Sequence, residues 1–212
     1  EAVKNSEAVP IFAQQSVREL TLTGRSFESV LDDVSWAVFQ EGYQDGFAAD
    51  ADHLKEKPDI KRALDLGYSM LTLDCTEYIN DDLDQMSDRE IEKAYQEVPE
   101  YLRKGLEDQY LNKTFVLNSG YQLEYNEDNL KEIILIYYKM LDFAKEIQHL
   151  IRRSDREIDF EISIDETSTP TSPEAHFFVA NELKRNNIEL NSLAPRFVGE
   201  FQKGIDYIGD LD

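Results

Sequence analysis

Apolar positions recur along the chain with two periods. Five short stretches, 10–16, 46–54, 68–77, 159–166 and 188–196, alternate or run apolar between turn-forming residues and are read as β-strands. Between the first three, helical spacing takes over. Residues 26–43 are amphipathic, and Lys57–Leu66 carries Pro58 in its first turn and Gly67 just past its end, where a fixed φ and a left-handed residue respectively suit a helix start and stop. Strand, helix, strand, helix predicts βαβ units and a parallel sheet, because parallel neighbours require a crossover and that crossover is usually helical. The interval 81–157 breaks the rhythm. It reads as a helical insertion of roughly two long helices, one opened by the Ser87…Glu90 capping spacing. The other carries an apolar stripe through Leu130, Ile133, Ile134, Tyr137, Met140, Leu141, Ala144 and Ile147, a packing surface. The barrel-type units are thus 1–80 and 158–212, separated by the insertion.

Alternation within the strands separates acids from apolar residues, since neighbouring side chains point to opposite faces. Phe160, Ile162 and Ile164 share one face, and Glu161, Ser163 and Asp165 the other, with Glu166 at the carboxyl tip. Ala49 and Ala51 alternate with Asp50 and Asp52, followed by His53; Leu71 and Leu73 alternate with Thr72 and Asp74, and Glu77 follows. Acids therefore collect at the carboxyl ends of three strands. A TIM-like (β/α) barrel explains this, because its active sites form at that mouth while the apolar face packs on outer helices. The barrel is incomplete here, five strands against the eight it needs, and the chain starts at Glu1 and stops just past Tyr207, so part of the protein is expected to be missing. Taken singly, each acid is equally explained by pairing with Arg18, Arg25 or Arg196, or by capping a following helix.

Charge narrows the partners. Forty-four acids against twenty-two bases give −22, which repels phosphate backbones and anionic lipid, so neither nucleic acid nor membrane is expected as a partner. Solubility alone also accounts for such a charge. No stretch is apolar for long enough to span a bilayer. With one cysteine, Cys75, no disulfide forms within the chain, and no secretory leader is recognised, so a cytoplasmic location is expected. Cys75 lies in a strand without an evident histidine partner and is read as core. His53 beside Asp52 suits a metal ligand beside a proton-transfer base, and imidazole favours Zn²⁺, Mn²⁺ or a similar divalent ion over Mg²⁺. His176 falls in a first turn begun by Ser172 and Pro173, and His149 is read as a surface residue. Glycine-rich nucleotide loops, a Gly-x-Ser-x-Gly elbow and a Cys-x-x-Cys pair are all absent from the sequence.

Four strings carry a resemblance: PIFAQQSVREL from Pro10, ADADHLK from Ala49, DETSTPTSPEAHFF from Asp165 and SLAPRFVGEFQKGIDY from Ser192. They resemble the tagaturonate epimerase family. The resemblance implies a barrel and a metal-dependent interconversion of D-tagaturonate and D-fructuronate. It implies Asp52 as proton acceptor, His53 as metal ligand and Glu166 as proton donor, with two further histidine ligands in a later segment. The substrate carboxylate needs a cation, for which Arg18, Arg196 and Lys203 are candidates, though each also suits an ordinary ion pair. The inverted carbon is β to the ketone, so simple enolisation does not reach it, and retro-aldol cleavage followed by re-addition is the expected route. A metal-dependent sugar isomerase or aldolase, and a sugar-binding protein without turnover, are the rival readings. Homo-oligomeric assembly is left open.

Overall fold

The computed structural model describes residues 8–199 and 206–209. Lys203 lies outside them. The chain forms a mixed α/β structure with a parallel sheet and divides into two compact units. One contains the described residues of 1–75 together with 146–163 and 189–193; the other contains 76–145, 164–188 and the described residues from 194 onward.

The first unit is built on strands β1 (Ile11–Ser16), β2 (Ala48–Leu54), β3 (Met70–Asp74) and β6 (Asp159–Ile164), joined at one edge by β7 (Ser192–Pro195). The spatial order is β1-β2-β3-β6-β7, and the pairs β1/β2, β2/β3 and β3/β6 are parallel. Every strand lies beside its predecessor in the sheet, with no reversal of order. All five strands fall within the stretches read from the sequence, with shorter bounds. The third ends at Asp74 and gives way to a 3-10 turn, Thr76–Tyr78, so Glu77 is not a strand residue. Asp165 and Glu166 likewise fall beyond β6.

Helices α2 (Phe27–Glu41) and α3 (Lys57–Leu66) follow the sequence reading and pack on β1 and β2 respectively. Ser26 caps α2, and Gly42 ends it in the left-handed region. Gly67, at φ 100, ends α3, and a Cβ there would crowd the Arg156 guanidinium, which donates to the Leu64 carbonyl at 2.8 Å and so caps the helix end. A short helix α1 (Val17–Thr23) was not anticipated. Ser16 ends β1 and caps α1 at once: its Oγ accepts from the Glu19 amide, and the Glu19 carboxylate accepts from the Ser16 amide. The strand therefore enters its helix without a loop.

Both faces of the sheet are shielded from water, as a parallel sheet requires. Ala13, Ala49, Ala51, Leu71, Leu73, Phe160 and Ile162 are buried on one face. The other face carries Ser16, Asp50, Thr72, Asp74 and Ser163, also buried. Polar groups cut off from water need protein partners. Asp50 finds them across the strands, accepting from Thr72 Oγ1 at 3.2 Å and from Gln14 Nε2 at 3.4 Å. Further along the sheet, Ser192 Oγ donates to Glu161. Burial, reinforced by the neighbouring charge of Asp52, pushes the Asp50 carboxyl up to about 6 against the lowering effect of Thr72. Cys75 is also buried, and desolvation raises its thiol far above the ordinary range, which makes it a core group rather than a nucleophile.

In the second unit, the stretch read as two helices holds more. Helices α4 (Asp88–Glu97) and α5 (Glu100–Tyr110) precede an antiparallel hairpin, β4 (Lys113–Val116) and β5 (Gln122–Tyr125), and then α6 (Glu127–Arg153) begins. The last turns of α6, from Glu146, belong to the first unit. Helix α7 (Pro173–Arg185) is capped by Ser172. Tyr110, Phe115, Tyr125, Phe177 and Phe178 form a ring cluster with centroids 4.9–5.7 Å apart. Beside them the Tyr110 hydroxyl donates to buried Glu182 at 2.7 Å and accepts from Asn181 at 2.6 Å, while Arg185 neutralises the same carboxylate at 3.1 Å. Among the described residues, no helix is long and apolar enough to cross a membrane.

Two consequences for stability can be measured on the full-length protein by urea denaturation. Tyr110→Phe removes a donor to a buried carboxylate and is expected to cost about 2 kcal/mol; Tyr68→Phe removes a neutral bond from a buried hydroxyl to the Phe27 carbonyl, 3.0 Å, and is expected to cost about 1 kcal/mol. Asp50 has a folded pKa above its unfolded one, so its favourable contribution is complete below pH 3.8 and is lost as the pH rises through 6. Asp50→Asn should therefore stabilise the protein by up to about 3 kcal/mol at pH 7.5, with the gain vanishing near pH 4.

Candidate functional site

The sequence ADADHL forms the end of β2 in an unusual way. Asp50 and Asp52 lie two apart and so project to the same face of the sheet. At His53 the backbone turns left-handed, with φ 52, and the β2/β3 register slips between Ala51 and Leu54. Left-handed φ is uncommon for a residue with a Cβ and carries a conformational cost that the surrounding structure must support. Its effect here is to place the imidazole between two carboxylates. Nδ1 lies 3.4 Å from Asp74 Oδ2, and Nε2 lies 3.6 Å from Asp52 Oδ1. Asp52 and His53, singled out from the sequence, thus stand together at the carboxyl end of β2.

Two further residues join them. Asp74 ends β3, the strand paired with β2, and its side chain is 2% exposed. Lys55 follows β2 and reaches back, its Nζ 3.3 Å from the same Asp74 Oδ2. The sequence reading noted Asp74 only as one of several strand-end acids and passed over Lys55. A signal was present: Lys55 lies two residues past the histidine, and Asp74 shares its strand face with Thr72, which pairs with Asp50. The resulting group is one imidazole, one ammonium and two carboxylates, one nearly sealed and one, Asp52, with a 19% exposed side chain.

The other candidates come from other elements of the chain. Glu166 is exposed and lies two residues past β6, in the second unit. Asp165 precedes it, half-buried. Arg18 is exposed on α1. Arg196 follows β7 and also belongs to the second unit, where its amide donates to Thr171 Oγ1 at 3.1 Å and its carbonyl accepts from the Thr171 amide at 2.9 Å. Arg25, considered as a partner for the strand-end acids, instead pairs with Asp33 on α2. His149 is exposed on α6, and His176 sits in the first turn of α7 with its amide bonded to the Ser172 carbonyl at 2.9 Å.

Relatives place this geometry in context. The chain matches the tagaturonate epimerase family over residues 1–212. It is 44% identical over 211 residues to the tagaturonate/fructuronate epimerase of Thermotoga maritima, an alignment covering 99% of this chain and 43% of that protein. The native crystal structure of fructuronate-tagaturonate epimerase from Cohnella laeviribosi has a TM-score of 0.92 at 48% identity, and a form of it complexed with one glycerol 0.91 at 49%. Each comparison covers 99% of this chain and 43% of that one, so the chain spans less than half the length of these relatives. A parallel sheet with Asp52 and His53 at the end of its second strand, together with a match along the whole chain, leads to one assignment: the chain belongs to the tagaturonate epimerase family.

Proposed function

We propose that the whole protein interconverts D-tagaturonate and D-fructuronate in the cytoplasm, and that this chain supplies one part of its active site. The observation that carries the reading is the pairing of Asp52 with His53 at the carboxyl end of a parallel strand, where enzymes of this architecture place their chemistry. The sheet supports a TIM-like barrel for the complete protein. Its strands follow one another in chain order without the reversal of a doubly wound sheet, and β1 and β7 stand at its two edges, where further strands would join.

The donor set suits a divalent cation of the zinc or manganese kind. It combines an imidazole with carboxylates, and its charge is negative even with Lys55 counted. His53 is the residue this reading assigns to the ion, with further histidine ligands expected from the rest of the protein. When bound, the ion would supply Lewis-acid stabilisation of negative charge on the sugar oxygens.

The inverted carbon bears a hydroxyl and lies β to the ketone. In the route that best fits, Asp52 takes the proton of that hydroxyl and the neighbouring carbon–carbon bond breaks, its electron pair passing to the ketone as an enediolate. The aldehyde so formed turns over, the bond re-forms on its opposite face, and Glu166 returns a proton to the new alkoxide. The hydrogen on the inverted carbon stays in place throughout. Arg18, Arg196 and Lys203 are the cations proposed for the substrate carboxylate.

In the full-length protein, Asp52→Asn and Glu166→Gln are each expected to lower kcat for epimerisation about 10²–10⁴-fold, and unchanged turnover in both would refute the assignment. Turnover in deuterated water should leave the inverted carbon without deuterium; incorporation there would exclude the retro-aldol route. Treatment with a strong chelator should abolish activity, and added Zn²⁺ or Mn²⁺ should restore it, whereas full activity in the chelated protein would remove the metal from the scheme.

A further inference from the structure

Resting on the metal reading of His53, we infer that Asp74 is a positioning residue that fixes the ring tautomer of His53, with Lys55 holding Asp74 in that role. A neutral imidazole has one N–H, yet both nitrogens of His53 face carboxylates, Asp74 at 3.4 Å from Nδ1 and Asp52 at 3.6 Å from Nε2. The two carboxylates are not equivalent. Asp74 is 2% exposed and must draw its donors from protein, whereas Asp52 retains access to water. The single proton therefore belongs on Nδ1, directed at Asp74.

That choice leaves the Nε2 lone pair on the side of Asp52. A lone pair facing a carboxylate is repulsive until a cation stands between them, so the arrangement favours an ion at Nε2 and places it beside the proposed base. Outer carboxylates that receive the second ring N–H of a ligating histidine orient the ring and raise its basicity. Lys55 argues that Asp74 acts in this outer role. Its Nζ approaches the oxygen that also faces Nδ1, Oδ2, so two donors converge on that atom. The left-handed backbone at residue 53 falls within the slip in the β2/β3 register, at the point where both carboxylates reach the ring.

The test uses full-length protein with ¹⁵N-labelled histidine, the His53 signals being assigned by their loss in His53→Gln. In metal-free wild type, measured above the pH at which the ring gives up its second proton, His53 should carry the remaining proton on Nδ1. Asp74→Ala should shift it toward the Nε2–H form and weaken Zn²⁺ binding, measured by competition with a chromophoric chelator, by about 10–100-fold. Asp74→Asn should keep the Nδ1–H form and most of the affinity, because an amide oxygen can replace Oδ2 as acceptor for both donors. An unchanged tautomer in Asp74→Ala would overturn the inference. Asp74→Asn binding Zn²⁺ as poorly as His53→Gln would also overturn it, since a direct ligand loses its charge in that exchange. Should Asp74→Ala fail to fold, the Asp74→Asn affinity decides alone. If His53→Gln itself binds Zn²⁺ as wild type does, the metal reading falls, and the tautomer measurement still decides what Asp74 does.

Discussion

A carboxylate buried on the face of a sheet must draw its stabilisation from neighbouring strands, because water does not reach it. That requirement organises the first unit. Asp50 leans on Thr72 and Gln14, and Asp74 on His53 and Lys55. Each of these contacts crosses from one strand to the next, or from a strand to the residues just past it, so the register of the sheet and the ionisation of its acids are set together. The apolar face has the opposite logic. Alanines at positions 49 and 51 leave little side chain between β2 and the α3 helix that packs on it, and the sheet can be sealed from that side without polar partners.

Acids two apart on one strand feel each other as well as the loss of water. Asp50 and Asp52 share a face, and the charge on the more accessible of the two discourages charge on the buried one. The buried residue therefore takes up its proton near pH 6, well above the range of an ordinary aspartate. Separation of roles between like groups by burial is the same principle that lets paired carboxylates serve as acid and base elsewhere.

Much of the scaffold was legible in the sequence because it follows strong local rules. The bounds of α3 were readable from Pro58 and Gly67, and the strands from alternation with clear punctuation. What escaped was short or nonlocal. The capping spacing Ser16…Glu19 before Leu20 announced α1, yet a helix of seven residues is too short for helical periodicity to show. The β4/β5 hairpin depends on Tyr110, Tyr125 and Phe178 meeting across distant parts of the chain, which no periodicity reveals. At the site, Asp52 and His53 were visible as neighbours in sequence. The pairing of Asp74 with His53 and Lys55 was not, because it depends on β3 lying in register beside β2 with a slip at residue 53.

The left-handed backbone at His53 also constrains how this position can change over generations. Asparagine, aspartate and glycine tolerate that conformation, whereas β-branched residues do so at considerable strain. A lineage that lost the imidazole while keeping the sheet would therefore drift along a narrow path, exchanging it for one of those small residues. Asparagine or glycine here would leave Asp74 and Lys55 paired and the strand end intact while removing the ring between the two carboxylates.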